Sequence, residues 1–268
     1  MSSKESGEAA DRTRPGGSRP RVRIFLEGRY RKFVRDLPQT IFWCPRCKGR
    51  RGGCKECGGY GKLTRDSVQE LIQRKVLKAF RSWKGKFHGC GREDIDVRML
   101  GGGRPFVFEV IDPREREVDL AELERRINEY GRDRIEVEGL HLVERKRVAY
   151  LKQTPYDKLY RLTAECAGEP DPGRLEEIAG ARIQLVQRTP GRVAHRRADK
   201  ERKRMVTIRS AASTEAGLVV EVRAEHGTYI KEWVSGDEGR TTPSLGDLVG
   251  TNCLCRELDV LDILERRT

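Results

Sequence analysis

A short segment with four cysteines places the strongest constraint on how this chain folds. Residues 44–62 are dense in glycine and cysteine and follow neither a helical nor a strand period, so something other than an apolar core must hold them. The cysteines are spaced C-x2-C-x6-C-x2-C, and two such knuckles can present four thiolates to one tetrahedral Zn²⁺. The spacing therefore predicts a compact zinc ribbon with four ligands, which are Cys44, Cys47, Cys54 and Cys57.

The predicted zinc is structural, because four thiolates fill the tetrahedron and leave no position for water or substrate. A pair of redox CxxC motifs is the alternative, but no βαβ pattern surrounds the cluster. The remaining cysteines, Cys90, Cys166, Cys253 and Cys255, are expected to be small core residues or unreactive free thiols. Metal-type spacing in a chain of this length indicates a reducing compartment, so we expect a cytoplasmic protein.

Positive charge is concentrated at the beginning of the chain. The formal net charge is +13, and residues 1–65 contain 17 Lys or Arg against six Asp or Glu. This balance favours a polyanionic partner, either a nucleic acid or an anionic membrane. No run reaches the roughly 18 apolar residues that a membrane span requires. Residues 1–20 are polar and lack the apolar stretch of a secretory signal, which predicts a disordered basic tail.

The order of the predicted elements indicates an α+β protein. Apolar residues at helical spacing predict helices over 67–80, capped by Asp66 or Ser67, and over 120–131, with a short helix at 174–180. Alternating stretches predict strands that begin near residue 22 and then cover 104–111, 134–145, 159–168, 181–189, 204–213, 217–230 and 254–265. Without strict βαβ alternation, this order favours a mainly antiparallel mixed sheet with flanking helices and a central cleft.

The same pattern predicts a division of the chain into parts. Residues 1–20 form the tail, and residues 21–63 contain a strand and the zinc ribbon. Residues 64–268 form the main domain, with halves of about 64–150 and 151–268.

An acidic turn at residues 91–98 is the strongest candidate for chemistry. Glu93, Asp94 and Asp96 lie within four residues, accompanied by Arg92 and Arg98 and bordered by glycines. A cation beside a carboxylate favours its charged form, as a nucleophile or general base requires. From the residues alone, a solvated charged loop and a loop that binds a divalent metal remain open alternatives.

Four segments in collinear order carry a resemblance to a known family. They are GREDIDVRMLGGGRPFVFEV (91–110), YGRDRIEVEGLHLV (130–143), RTPGRVAHRRADKERKR (188–204) and EHGTYIKEWVSGDEGRTTPSLGDLVG (225–250). The chain from about residue 21 onward resembles the tRNA pseudouridine-54/55 synthases, the Pus-ten family of archaea and eukaryotes. The cysteine ribbon also occurs in archaeal members, before the catalytic domain. The resemblance implies the pseudouridine synthase fold, uridine isomerisation in the T-arm of tRNA, and chemistry that needs no cofactor.

The resemblance also implies a role for each matching residue. Asp94 would be the nucleophile toward the target nucleoside, with Asp96 in support. Tyr160 would stack on the uracil, and Tyr156 is the rival for that role. Lys231 would pair with Asp94, Ile230 would pack beneath the base, and Arg92 would help to displace the target nucleotide from its stack.

Basic segments elsewhere are expected to contact the tRNA backbone. Residues 192–209 contain eight Lys or Arg against two acids, and Arg196 and Arg197 are the expected phosphate contacts. Family members carry an N-terminal RNA-binding domain of the THUMP type, which the residues before 64 do not resemble. The basic tail is expected to take over part of its role, and a monomer is expected.

Two other functions compete with this interpretation. One is a zinc-ribbon RNA-binding module without catalysis, in which Asp94 would be dispensable. The other is a nuclease that uses Glu93, Asp94 and Asp96 to hold Mg²⁺, and this function predicts RNA cleavage that EDTA abolishes.

Overall fold

The computed structural model describes residues 22–50, 52–196 and 198–265, except for the side chain of Arg196. The predicted tail at 1–20 and the predicted phosphate contact Arg197 lie outside these residues.

One continuous sheet organises the described chain. Its strands are β1 (Arg23–Lys32), β2 (Lys84–Gly89), β3 (Arg98–Ile111), β4 (Ile135–Val143), β5 (Tyr156–Cys166), β6 (Arg182–Gln187), β7 (Arg202–Thr214), β8 (Gly217–Ala224), β9 (Thr241–Thr242) and β10 (Cys253–Glu265). They lie in the order β4-β1-β3-β10-β5-β8-β7-β6-β9, and β2 pairs with β3. The strand at the beginning of the chain is thus an inner strand of the sheet, and the predicted division into domains stays a prediction.

The sheet is mixed because two neighbouring strands at its centre run parallel to each other. β3 and β10 pair in parallel, with Arg98 opposite Asp259 and Met99 opposite Val260. The other pairings among the described strands are antiparallel. The short parallel contact joins strands from the first half of the sequence to those of the second. The predicted α+β class and mainly antiparallel mixed sheet are therefore confirmed.

The helices flank this sheet. They are α1 (Val68–Ala79), α2 (Leu120–Gly131), α3 (Lys146–Gln153), α4 (Pro172–Ile178), α5 (Ile230–Ser235) and α6 (Leu245–Val249), with a 3₁₀ helix at Gly191–Arg196. Ser67 caps α1 by accepting a hydrogen bond from the backbone N–H of Glu70, which satisfies one of the free amides of the first turn. Leu71 and Ile72 of α1 are fully buried, together with Phe106 and Phe108 of β3.

Three local predictions were wrong, each because partners distant in sequence decided the conformation. Residues 84–89 form strand β2, where no strand was predicted, because they pair with β3. The strand predicted over 217–230 ends at Ala224, and the next element is helix α5 from Ile230. The strand predicted from Arg104 begins at Arg98 and includes the glycine run.

Gly101 explains how a strand can run through that glycine run. Its φ is +54°, and a Cβ there would lie 1.8 Å from the carbonyl oxygen of Leu261. Only glycine permits this approach of β3 to β10, so the run serves the central contact of the sheet.

The prediction for two of the remaining cysteines was also wrong. Cys166 and Cys253 form a disulfide, with their Cα atoms 4.2 Å apart. They are direct partners in the β5–β10 register, which a separation of 87 residues in sequence does not reveal. Cys90 is a buried free thiol, and Cys255 is a half-buried one.

Candidate active site

A cavity of about 510 Å³ lies over the centre of the sheet. The acidic turn forms one side, and the segments 192–193 and 226–232 form the other. Lys158 and Tyr160 from β5, Arg104 from β3, and Leu258 and Val260 from β10 complete the lining. The cavity thus brings together residues from five regions of the sequence, and we refer to it as the cleft.

A buried lysine that no sequence motif indicated holds the acidic turn in place. Lys32 is fully buried, and its Nζ donates to the carbonyl oxygens of Leu37 at 2.8 Å, Ile95 at 3.0 Å and Asp94 at 3.3 Å. Burial lowers the pKa of Lys32, and these carbonyl contacts satisfy its donors. The backbone at Asp94 is therefore positioned from β1.

Two cations stand beside the carboxylate of Asp94. Its Oδ2 lies 3.5 Å from Nη2 of Arg192 and 3.8 Å from Nζ of Lys231. The side chain is 40% exposed, so it is open to a molecule in the cleft. Arg192 lies in the RTPGRV segment, where the sequence predicted only Arg196 and Arg197 as contacts.

Lys231 lies between the carboxylates of Asp94 and Asp96. It is closer to Asp96, to which the family resemblance assigned only a supporting role. Its Nζ lies 2.8 and 2.7 Å from the two oxygens of Asp96. Burial opposes the charge of Asp96, but the hydrogen bonds and charge of Lys231 hold the pKa of Asp96 below its ordinary value. Asp96 therefore positions Lys231 beside Asp94.

Glu93, the third acid of the turn, is part of a buried network. Its carboxylate accepts hydrogen bonds from the hydroxyl of Tyr30 at 2.8 and 2.9 Å and lies 2.8 Å from Nε of Arg104. Gln39 donates to the oxygen of Tyr30 at 2.8 Å. This carboxylate is occupied by protein partners, which disfavours a metal site shared with Asp94 and Asp96.

The two candidate tyrosines line different cavities. Tyr160 lines the cleft with Asp94, whereas Tyr156 lines a neighbouring cavity of about 230 Å³. Burial raises the pKa of both phenols to about 12, so both remain protonated at neutral pH. Of the two tyrosines, Tyr160 is thus the one that shares a cavity with Asp94.

The other expected substrate contacts lie in or near the same place. Ile230 is buried at the start of α5 and lines the cleft, as does the exposed Arg92. The backbone of Arg196 ends the 3₁₀ helix that carries Arg192. Arg192 also donates through Nε to the buried Glu232 of α5, which connects the 3₁₀ helix to the helix that carries Lys231.

The four clustered cysteines have the geometry of a zinc site. Their sulfur atoms all lie within 4.8 Å of one another, with Cys44 and Cys54 at 3.9 Å and Cys47 and Cys57 at 3.7 Å. Tetrahedral Zn²⁺ with bonds of about 2.3 Å places its sulfurs about 3.8 Å apart. The backbone N–H of Gly61 donates to Cys57 Sγ at 3.2 Å, so the ligand set fits structural zinc. Within the described chain, this is the one converging group of three or more His, Cys, Asp or Glu ligands.

None of the helices in the described residues is long and apolar enough to span a membrane.

Comparison with known proteins identifies the family. The family model described as "Pus10, C-terminal" matches residues 25–264. The chain is 43% identical over 243 residues to the tRNA pseudouridine synthase Pus10 of Methanocaldococcus jannaschii, covering 90% of this chain and 53% of the relative. It is 46% identical to that of Methanothermobacter marburgensis, covering 90% and 60%. For Archaeoglobus fulgidus the identity is 43%, with 90% and 67% covered.

Among solved structures, a chain of a Cbf5-Nop10-Gar1 complex aligns with a TM-score of 0.41 and 14% identity, covering 90% of this chain and 60% of that one. The chain spans between half and two thirds of the length of the curated relatives named above. With a family match that runs from β1 to β10 and the four motifs collinear along it, this chain belongs to the Pus10 C-terminal family.

Proposed function

We propose that this chain isomerises uridine to pseudouridine in the T-arm of tRNA, at position 54, position 55 or both, with Asp94 as the nucleophile. The observation that carries the proposal is the convergence of the motif residues in one cleft. Asp94, Tyr160, Ile230 and Lys231 come from two of the motifs and from β5, and all line that cavity. Membership of the Pus10 family supports the same reaction.

The chemistry follows from the charges around Asp94. Its carboxylate attacks C1′ of the target nucleoside, and the N-glycosidic bond between C1′ and N1 breaks with its electron pair on N1. The free uracil turns and C5 bonds to C1′, which breaks the bond between C1′ and Asp94 and restores the carboxylate. The proton on C5 is then lost, and N1 gains a proton. Lys231 and Arg192 orient the carboxylate and stabilise its negative charge. Tyr160 provides a ring for stacking, and no cofactor takes part.

The contacts with tRNA come from basic surfaces outside the cleft. The ribbon interleaves cations with its cysteines, among them Arg46, Lys48, Arg50 and Lys55. We assign it a structural Zn²⁺ and a role in phosphate binding. We propose Arg196 and Arg197, from the basic segment 192–209 of the sequence, as further phosphate contacts. We expect the chain to act as a monomer in the cytoplasm.

Substitution of Asp94 by asparagine tests the proposal most directly. Asp94→Asn keeps the shape of the side chain and removes its charge. We expect pseudouridine formation on unmodified tRNA transcripts to fall by at least about 10³-fold, while the Kd for tRNA stays within about twofold. Tritium release from [5-³H]uridine-labelled tRNA measures the rate. Substrates with cytidine at position 54 or at position 55 identify the target.

The matched control is Asp96→Asn, which removes a neighbouring carboxylate that positions Lys231. We expect a smaller loss of about 10-fold. Full turnover by Asp94→Asn would overturn the assignment. RNA cleavage that EDTA abolishes would favour the nuclease, and undiminished biological function of Asp94→Asn would favour the binding module.

A further inference from the structure

Two buried cations in the wall of the cleft have no role in the reaction as described so far. Arg104 is fully buried and Lys158 is 9% exposed, and both line the cleft. Burying a cation is costly unless its donors find partners. The hydrogen bonds that these two side chains make therefore indicate what kind of ligand this wall can bind.

Arg104 is only partly satisfied by protein groups. Nη1 donates to the carbonyl oxygen of Cys90 at 2.7 Å. Nε lies 2.8 Å from Glu93 as an ion pair, although the pair is not aligned as a hydrogen bond. Within the described residues, Nη2 has no hydrogen-bond partner. Nη2 is also inaccessible to solvent, so Arg104 contributes positive charge to this wall of the cleft rather than a donor that a bound molecule reaches.

Lys158 lies in the same wall, on strand β5. Side chains alternate between the two faces of a strand, so residues 156, 158 and 160 lie on the same face of β5. Lys158 therefore lies between Tyr160 of the cleft and Tyr156 of the smaller cavity. Within the described chain, its Nζ donates one long hydrogen bond, to the carbonyl oxygen of Tyr156 at 3.3 Å. At least one of its donors therefore remains for a molecule in the cleft.

The proposed reaction generates an anion that matches this wall. When the C1′–N1 bond breaks, its electron pair stays on N1 and is shared with the carbonyl oxygens O2 and O4. Donors that are already fixed toward a developing negative charge stabilise it without reorganisation. Resting on the proposed function, we propose that Lys158 and Arg104 form a cationic wall, in which Lys158 donates hydrogen bonds to the uracil carbonyl oxygens and Arg104 adds positive charge behind it, while the base is separated from its ribose.

The wall transfers no proton in this scheme. It donates hydrogen bonds while the base turns and C5 bonds to C1′. The C5 proton is then released to solvent, and N1 takes up a proton from solvent, so the product is an isomer of the substrate. Lys158 thus binds the reacting base, Arg104 adds positive charge to the wall, and Asp94 remains the nucleophile.

Lys158→Met tests the inference, because methionine keeps much of the length of the side chain and removes the donors. The variant is expected to fold, since an apolar replacement of a buried cation is often neutral or stabilising. We expect the single-turnover rate of pseudouridine formation to fall by about 10²-fold, with the Kd for tRNA unchanged within about twofold. Lys158→Arg should recover part of the rate. Lys86→Met, at an exposed lysine of β2, is the matched control and should match wild type.

The pH profile provides a second measurement. Burial first, and the charge of Arg104 second, lower the pKa of Lys158 to about 8. The wall needs the protonated amine, so the wild-type rate should fall as pH rises through about 8, and Lys158→Arg should move this fall to higher pH. The charges of Arg104, Cys90 and Asp157 act on Lys158. The titratable residues Lys152, Tyr156, Tyr160 and His226 line the same two cavities as Lys158.

Sulfur substitution identifies the contact with the base. Sulfur accepts hydrogen bonds more weakly than oxygen, so tRNA with 4-thiouridine or 2-thiouridine at the target should react more slowly with wild type. In Lys158→Met the same replacement should have a smaller effect. An equal effect in both proteins, or a Lys158→Met rate equal to wild type, would overturn the inference.

The cationic wall can also be tested if the proposed function itself proves wrong. If wild type forms no pseudouridine, the inference is decided by binding alone, through ¹⁹F NMR titration with 5-fluorouracil, which ionises readily. Weaker binding by Lys158→Met than by Lys86→Met would support the cationic wall. Equal binding would overturn it.

Discussion

At the residue scale, three neighbouring acids with similar chemistry have three different surroundings. Glu93 points into the core and pairs with Arg104 and Tyr30. Asp94 faces the cleft between two cations, and Asp96 hydrogen-bonds Lys231. Their side-chain directions follow from the path of the turn, which Lys32 sets through backbone carbonyls.

The two tyrosines of β5 provide a prediction at this scale. Tyr160→Leu should lower the single-turnover rate by about 5- to 150-fold, because one stacked base is worth about 1–3 kcal/mol. Tyr156→Leu, four residues away on the same face, should have less than about a threefold effect on the rate once both proteins are shown to be folded. A larger rate loss for Tyr156→Leu would exchange the two roles.

At the element scale, the short helix α5 depends on tertiary packing. It has six residues, lacks a side-chain cap at its beginning, and ends at Gly236 in the left-handed region. Its fully buried Trp233 anchors it, because a helix this short is not stable by itself. Ile230 and Lys231 lie in the first turn of this anchored helix.

The anchoring of α5 predicts a large loss of stability on truncation. Trp233→Ala should lower the free energy of unfolding by about 3–5 kcal/mol, as measured by urea titration. Trp83→Ala removes a tryptophan that is 85% exposed and should change it by less than about 0.5 kcal/mol. Similar midpoints for the two variants would show that α5 is not anchored in this way.

At the scale of the whole molecule, the two ends of the ribbon are joined to each other by backbone hydrogen bonds. The backbone N–H of Leu63 donates to Phe42 at 2.8 Å, and that of Cys44 donates to Gly61 at 3.0 Å. Trp43 and Lys62 form an isolated bridge beside them. The two ends of the ribbon are thus tied together, and the cysteine cluster organises the loop between them.

Loss of the metal should therefore reduce the affinity for tRNA more than the rate of the reaction at saturating tRNA. Cys54→Ser is expected to release one Zn²⁺ per chain by metal analysis. The slope of log K against log salt should become shallower by about 0.7 for each phosphate that the ribbon no longer neutralises. The rate at saturating tRNA should stay within about threefold, and Cys255→Ser, outside the cluster, should match wild type. Zinc retained in Cys54→Ser would contradict the assignment of the ligands.

Local sequence determined the features that depend on neighbours along the chain. Cysteine spacing identified the predicted zinc ligands, helical periodicity found α1 and α2, and alternation found most of the strands, since each pattern is completed within a few residues. The collinear motifs placed Asp94, Tyr160 and Lys231 among the site residues, and these three line one cleft.

Tertiary structure decided what depends on contact between distant segments. Residues far apart in sequence form the parallel β3–β10 pair and the disulfide between Cys166 and Cys253. Distant residues also bury Glu93. The same is true of Arg192 beside Asp94, and of Arg104 and Lys158 in one wall. Residue type and spacing describe what a side chain is able to do, whereas its partners and burial, which set its charge and direction, exist only after the sheet has assembled.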